Sequence, residues 1–198
     1  MKSSWRPMLF AANRSYDDDS LTYYCYMKLY SFKLYENNKL VRDFVPASRK
    51  SDNKAGLYDL IENKFYFDND FVPGNIVSPQ RLPNEYQEVE FLTSPGESGA
   101  YIKTDYFPNQ DSSFITEFEI PSFAAHDIFL YGAGGESFTD RTFEVYTWDE
   151  NLEYHYGGNS VYLYHNGTNL KLETNANNYS LSGDGTDSGS FEYKNSAA

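Results

Sequence analysis

The segment YTWDENLEYHYGGNS (146–160) contains the residue types best suited to bind a sugar. Trp148, Tyr154 and Tyr156 offer aromatic faces on which a sugar ring can stack, and neighbouring Asn and Asp side chains can hydrogen-bond hydroxyl groups. These three aromatic residues are therefore the candidate ligand-binding residues. The alternative interpretation is that they form cross-strand pairs or belong to the core, as aromatic residues on strands often do.

Acid–base catalysis would require paired carboxylates held in a cleft with different pKa values. Glu117 and Glu119 are two residues apart, so on a strand they share one face. Alternating glutamates on a solvent-facing strand are the commoner origin of this spacing. No Ser–His–Asp or Cys–His arrangement can be defended either. The sequence predicts no catalytic residue and no enzyme activity.

The potential metal ligands do not form a recognisable motif. His126, His155, His165 and Cys25 share no ligand spacing. The run Asp17–Asp19 could offer oxygens to calcium, but consecutive side chains point in different directions and the alternating pattern of a calcium loop is missing. A solvated turn is the preferred interpretation, so we predict no metal site, no tight calcium binding and no cofactor.

Charge and composition limit the classes of partner. The 198 residues include 16 Lys plus Arg and 29 Asp plus Glu, for a net charge of −13. This argues against binding to nucleic acid or to an anionic membrane. No apolar run has the roughly 20 residues of a membrane span, and the apolar stretch near the start is too short for a signal peptide. The single cysteine excludes an internal disulfide.

The order of side chains along the chain favours strands. Aromatic residues make up 18% of the sequence, and apolar and polar residues alternate over 114–120, 143–148, 161–164 and 170–173. In the run 21–36 the alternation changes phase near Leu29, which predicts a β-bulge. The Asn-Gly of HNGTN (165–169) is typical of a hairpin turn. The pattern predicts an all-β protein, an antiparallel sandwich with almost no helix.

Two segments do not show a clear strand pattern. Residues 51–65 have helical spacing of apolar residues, but two short strands around a turn at 61–64 fit equally well and are preferred. Residues 174–198 are rich in Asn, Ser, Gly and Asp, and they are predicted to be a mobile loop or frayed tail.

Two long segments resemble a known family. The first is LYSFKLYENNKLVRDFVPASRKSDNKAGLYDLIENKFY (29–66), and the second is RLPNEYQEVEFLTSPGESGAYIKTDYFPNQDSSFITEFEI (81–120). They are similar to the C-terminal and N-terminal parts, respectively, of laminin-G-like, concanavalin A-like jelly-roll domains found in tail and other structural proteins of bacteriophages and prophages. The resemblance implies a jelly roll, but its two parts occur here in reversed order.

The reversed order has two explanations: two half-domains left by gene fragmentation, or one jelly roll whose ends have been relocated. A connector at 68–83, with three prolines and one glycine, joins residues 1–67 to residues 84–198. Two half-sandwiches would expose apolar faces and unpaired edges. We therefore predict a single circularly permuted domain over 1–198.

The resemblance also implies a function. It implies a phage or prophage virion component that binds bacterial surface carbohydrate, contacts other virion or tail proteins and forms a homo-oligomer, as virion proteins usually do. It would be found in the virion, or in the bacterial cytoplasm before assembly. Two alternatives are a purely structural tail module without a ligand and a glycoside hydrolase of the same fold, because fold does not determine function.

Overall fold

The computed structural model describes most of the central part of the chain. The described residues are 8–13, 21–68, 70–95, 100–109, 111–120, 128–134, 141–148, 151–156, 159–165, 167–175, 178–184 and 187–190. For residues 12–13, 21–24, 128, 133–134, 141–143, 148 and 156, only the backbone is described.

All regular elements in these residues are strands. In chain order they are β1 (Met8–Leu9), β2 (Ala11–Asn13), β3 (Leu21–Tyr24), β4 (Lys28–Glu36), β5 (Lys39–Arg49), β6 (Ala55–Asp59), β7 (Lys64–Phe67), β8 (Val72–Pro73), β9 (Tyr86–Glu88), β10 (Leu92–Thr93), β11 (Ile102–Lys103), β12 (Ser112–Glu119), β13 (Ile128–Gly134), β14 (Arg141–Trp148), β15 (Asn151–Tyr156), β16 (Asn159–Leu163), β17 (Asn169–Asn175), β18 (Asn178–Gly183) and β19 (Asp187–Ser190).

The strands form two large antiparallel sheets. The larger has the order β19-β18-β17-β12-β4-β5-β6-β7, with β8, β9 and β10 beside it, and the smaller has the order β11-β1-β13-β14-β15-β16. Strands β2 and β3 pair with each other in a two-stranded sheet next to β13. The described part of the chain contains no helix, and therefore none able to cross a membrane. The protein is an antiparallel β-sandwich, which confirms the predicted fold class.

One core lies between the two sheets. Phe32 of the larger sheet has its ring centroid 5.1 Å from that of Tyr131 in the smaller sheet, and Phe114 lies 5.6 Å from Tyr154. Rings of this size bury large apolar areas and meet here in tilted and edge-to-face geometries, which aromatic pairs prefer. The same cluster also contains Leu34, Phe44, Phe118, Val145 and Leu163.

The two segments that resemble laminin-G-like domains, 29–66 and 81–120, pair with each other in the larger sheet. Strand β4, from the first part, pairs with β12, from the second, over residues 28–36 and 112–119. Glu117 faces Ser31, but the next residue, Phe118, faces Leu29. The register therefore shifts by one residue at Tyr30. This irregularity confirms the bulge predicted near Leu29. The circular permutation itself stays a prediction.

The predictions for the less regular segments were confirmed in some places and wrong in others. Residues 55–67 form two strands, β6 and β7, around a turn, as preferred above. The connector at 68–83 is partly paired, since β8 pairs with β10 and Ile76 bridges to Val89. The prediction of a mobile tail over 174–198 is wrong for residues 178–183 and 187–190, which form β18 and β19. Pairing to the edge of β17 supplies backbone hydrogen bonds that composition alone does not reveal.

Candidate functional site

An open groove lies on the larger sheet where β4, β12, β17 and β18 run side by side. Its volume of about 380 Å³ lies within the range of small-ligand pockets, roughly 300–1,000 Å³. The described residues that line it are mostly polar or aromatic: Tyr35, Asn38, Ser113, Ile115, Glu173, Thr174, Asn175, Asn178, Tyr179 and Ser180.

The groove opens where two neighbouring strands stop pairing. The ladder between β12 and β17 ends at Ile115 and Glu173, although both strands continue. Beyond that point the Thr174 side chain supplies the hydrogen bond in place of a backbone carbonyl. Its Oγ1 accepts a hydrogen bond of 2.9 Å from the backbone N–H of Phe114. A side chain thus replaces the ladder and keeps the buried backbone satisfied.

Tyr35 and the turn after it form the β4 side of the groove. Tyr35 lies opposite Ser113 on β12 and is half-buried. The chain then reverses through Asn37 and Asn38, with φ angles of 51° and 60°. Asparagine tolerates this left-handed conformation and is favoured in tight hairpin turns. The turn leaves Asn38 exposed at the groove.

Tyr179 lies on the other side of the groove, on β18, and faces Gly189 of β19. A Cβ atom on Gly189 would come within 2.7 Å of the Tyr179 hydroxyl and 2.9 Å of two ring carbons, so the ring occupies the space that a side chain would fill. Burial, and then the charge of Asp187, raises the pKa of Tyr179. The phenol therefore remains a protonated hydrogen-bond donor at neutral pH.

The lining of the groove carries little charge. Glu173 is its one charged residue among those described, and its Oε1 lies 2.5 Å from Lys171 Nζ. The hydrogen bond to Glu173 raises the pKa of Lys171, so Lys171 stays protonated at neutral pH. Around the pair, amide, hydroxyl and phenol groups can both donate and accept hydrogen bonds. The arrangement is suited to binding an uncharged polar molecule.

Of the predicted sugar-binding residues, Tyr154 is the one whose side chain is described, and it does not line this groove. Tyr154 is 1% exposed and belongs to the core between the sheets, so its burial removes it from the predicted set. The side chains of Trp148 and Tyr156 lie outside the described residues, and their role stays a prediction. In its strand Tyr154 shares one phase with Leu152 and Tyr156, and the alternation does not say which face of the strand is covered.

The two strand glutamates considered for catalysis are in different environments. Glu119 accepts hydrogen bonds of 2.9 Å from both Lys28 Nζ and Tyr30 Oη. The bond from Lys28 lowers the pKa of Glu119 despite partial burial. Glu117 is exposed and lies opposite Lys171 in the sheet. Glu119 is thus part of an ion pair, and neither glutamate lines the groove.

The remaining candidate ligands are dispersed. Cys25 is buried, which raises the pKa of its thiol. His165 Nδ1 lies 3.2 Å from the carbonyl oxygen of Gly167. His126 and Asp17–Asp19 lie outside the described residues. Among the described residues, no group of three or more His, Cys, Asp or Glu side chains could hold a metal ion.

The sequence reasoning also missed a buried polar cluster, formed by Tyr146, Glu153 and His155 on β14 and β15. The Tyr146 hydroxyl donates to Glu153 Oε2 at 2.5 Å, and His155 Nε2 lies 2.9 Å from both Glu153 Oε1 and the Tyr146 oxygen. None of the three side chains is more than 4% exposed. A cluster so enclosed has no access for a ligand, so we assign it a role in stability.

This cluster should make stability depend on pH. Burial alone would raise the pKa of Glu153, but hydrogen bonds led by those from His155 and Tyr146 outweigh it and lower the pKa from its ordinary value of 4.5. A lowered pKa stabilises the fold above the ordinary value, and this stability is lost as the pH falls through the folded-state pKa. In urea unfolding at pH 7, 5, 4 and 3, Glu153→Gln should lose less stability on acidification than the wild type.

The matched control for this measurement is Glu117→Gln, a change at an exposed glutamate. Its pH profile should run parallel to that of the wild type. If Glu153→Gln also followed the wild-type profile, the ionised Glu153 would not contribute to stability.

The groove was missed for an identifiable reason. Its β18 residues fall in the segment assigned to a tail, and its Tyr35 falls in a strand more than a hundred residues earlier. The one local signal was Asn37-Asn38, which marks a turn but not a site.

Comparisons with protein-family models, with curated proteins and with solved structures found no match to this chain. The likeness to laminin-G-like domains therefore rests on the sequence motifs alone.

Proposed function

We propose that this protein is a phage or prophage virion-associated recognition module that binds bacterial surface carbohydrate in the groove between Tyr35 and Tyr179. The groove is the observation that supports the proposal: two half-buried tyrosines border a surface lined with amide and hydroxyl groups. The virion setting, in the phage tail or in the bacterial cytoplasm before assembly, rests on the resemblance of 29–66 and 81–120 to tail-protein domains.

Carbohydrate fits this surface because a sugar has two kinds of face. Its C–H groups pack against aromatic rings, and its hydroxyls need several partners that both donate and accept. Binding without cleavage is the proposed activity. The two-carboxylate mechanism of glycoside hydrolysis needs a pair of carboxyl groups, and Glu173 is the one carboxylate among the described lining residues.

A structural or assembly role is the second candidate, favoured by the edge of the smaller sheet. Among the described strands, β16 pairs only with β15, and its end carries Tyr162 and Tyr164, which are 47% and 70% exposed. Such aromatic residues beside an open edge are typical of surfaces that pack against another protein.

The test is binding to an array of bacterial surface glycans, followed by calorimetry on the glycans that bind. Tyr35→Ala and Tyr179→Ala should each weaken binding about tenfold or more, because truncating an aromatic hot spot costs about 2 kcal/mol or more and each step of about 1.4 kcal/mol is tenfold in affinity. Tyr162→Ala, at an exposed tyrosine outside the groove, is the matched control and should bind like the wild type. A protein that binds no glycan above background would favour the assembly role.

Gly189→Ala offers an independent check of the same site. The three atoms nearest to the new methyl group all belong to the far end of the Tyr179 side chain, so the ring should move while the backbone stays in place. Binding should weaken as in Tyr179→Ala, with little change in melting temperature. Unchanged binding would show that the position of the Tyr179 ring does not matter to the ligand.

A further inference from the structure

We infer, building on the proposed function, that the ligand is an uncharged oligosaccharide that crosses the strands from β4 to β18, rather than a single sugar or an acidic glycan. Two observations support this inference: the direction in which the polar residues are arranged, and the sign and pairing of the charge in the groove.

The polar residues form rows perpendicular to the strands. In one row Tyr35 faces Ser113 across β4 and β12, and Asn175 faces Asn178 across β17 and β18. In the next row Ile115 faces Glu173, which in turn faces Ser180. Since neighbouring residues in a row belong to successive strands, the hydrogen-bonding groups follow a line across the sheet.

The rows are longer than one sugar ring. Tyr35 stands at their β4 end, and Asn178 and Ser180 stand at their β18 end. Tyr179 faces Thr174 and therefore falls between the two rows. Strands β12 and β17 separate β4 from β18, so Tyr35 and Asn178 are three inter-strand spacings apart. At about 4.8 Å for each spacing this is about 14 Å between their strands. A single sugar ring cannot span that distance, but a chain of several sugars laid along the rows could.

The charge of the groove disfavours acidic sugars. The described lining residues include neither Lys nor Arg, and the one charged residue, Glu173, is negative and already paired with Lys171. A carboxylate or sulfate on the ligand would lose hydration without gaining a partner of opposite charge. The net charge of −13 also repels acidic ligands at long range. Neutral hydroxyl and acetamido groups meet no such penalty.

The experiment measures affinity against ligand length and charge. The probes are gluco-, manno-, galacto- and N-acetylglucosamine oligosaccharides of one to six units, together with uronic acid-containing and sialylated oligosaccharides of matched length. We expect at least one neutral series to bind at least tenfold more tightly at three or four units than at one unit. Acidic probes should remain at background. Glu173→Lys should raise binding of the acidic probes, and Tyr162→Ala, at an exposed residue outside the groove, should keep binding of the neutral series.

Variants at the two ends of the rows test the orientation. For a ligand that crosses the strands, Tyr35→Ala and Asn178→Ala should both weaken binding of the long oligosaccharide, while at most one of them affects a monosaccharide. Equal affinity for one and four units, or a preference for acidic probes that still depends on these two residues, would overturn this inference and leave the proposed function standing. Failure of every probe, neutral and acidic, would overturn both.

Discussion

Replacing Phe32 with alanine is expected to lower the free energy of unfolding by about 3–5 kcal/mol. Phe32 lies at the centre of the sandwich and is 1% exposed. Its ring stacks on Phe114 at 5.8 Å and contacts Tyr131 of the opposite sheet and Phe44 of the neighbouring strand. Truncation removes buried apolar area and leaves a cavity between the sheets. Since whole domains are stable by only about 5–15 kcal/mol, this loss is large.

The same experiment tests whether the chain unfolds as one unit. Phe32 lies in residues 1–67, and Phe114 and Tyr131 lie in residues 84–198. If the shared core makes the protein a single domain, unfolding followed by circular dichroism and by tryptophan fluorescence should give one coincident transition that shifts as a whole in Phe32→Ala. Tyr164→Ala, at an exposed residue, should leave that transition in place. Two separate transitions, only one of them shifted, would instead support two half-domains.

Replacing Arg42 with leucine should cost a similar amount, about 3–5 kcal/mol, by leaving a buried carboxylate without its counter-charge. The Asp59 side chain is fully buried, and its Oδ2 lies 3.4 Å from Arg42 Nε. Its Oδ1 accepts hydrogen bonds from the backbone N–H groups of Asp43 and Ile61. Arg42 also extends to Glu62, with Nη2 2.6 Å from Oε1. Urea unfolding at pH 7 measures the loss.

The matched control is Arg49→Leu, in the same strand. Arg49 pairs with Asp52 within an exposed turn, where its hydrogen bonds lower the pKa of Asp52 to about 2. Solvent can replace this partner, so the loss should be much smaller than for Arg42→Leu. Equal losses for the two variants would mean that burial of Asp59 is not what makes Arg42 important.

A second variant separates the lost charge from the lost packing. Arg42→Leu combined with Asp59→Asn removes the uncompensated carboxylate while keeping a side chain of similar shape at position 59. The double variant should recover part of the stability lost in Arg42→Leu. If it did not, the loss would come from the packing of the arginine stem.

Local information in the sequence predicted the strands and their class. The alternation over 114–120 marks β12, and the change of phase near Leu29 in the run 21–36 marks the bulge opposite Phe118. The choice of two strands over a helix near residue 60 also follows from nearby residues. These features depend on the two-residue period of a strand, which the order of side chains records directly.

The position of the groove depends on contacts between distant parts of the chain. Tyr35 and Tyr179 line one groove because β12 and β17 lie between their strands, and no local pattern records that order. The strand β18 itself forms in a polar segment because β17 offers a partner edge and Gly189 leaves room for the Tyr179 ring. Composition assigned that segment to a tail, since it carries no information about pairing.

Burial of Tyr154 was likewise decided by tertiary structure. In its strand both Tyr154 and His155 are buried, so both faces are covered and the alternation does not distinguish the core side from the solvent side. The sequence by itself determined an all-β chain with strands of defined phase. Tertiary structure decided which aromatic residues remain accessible to a ligand, because accessibility depends on what packs against each face and not on the order of residues within a strand.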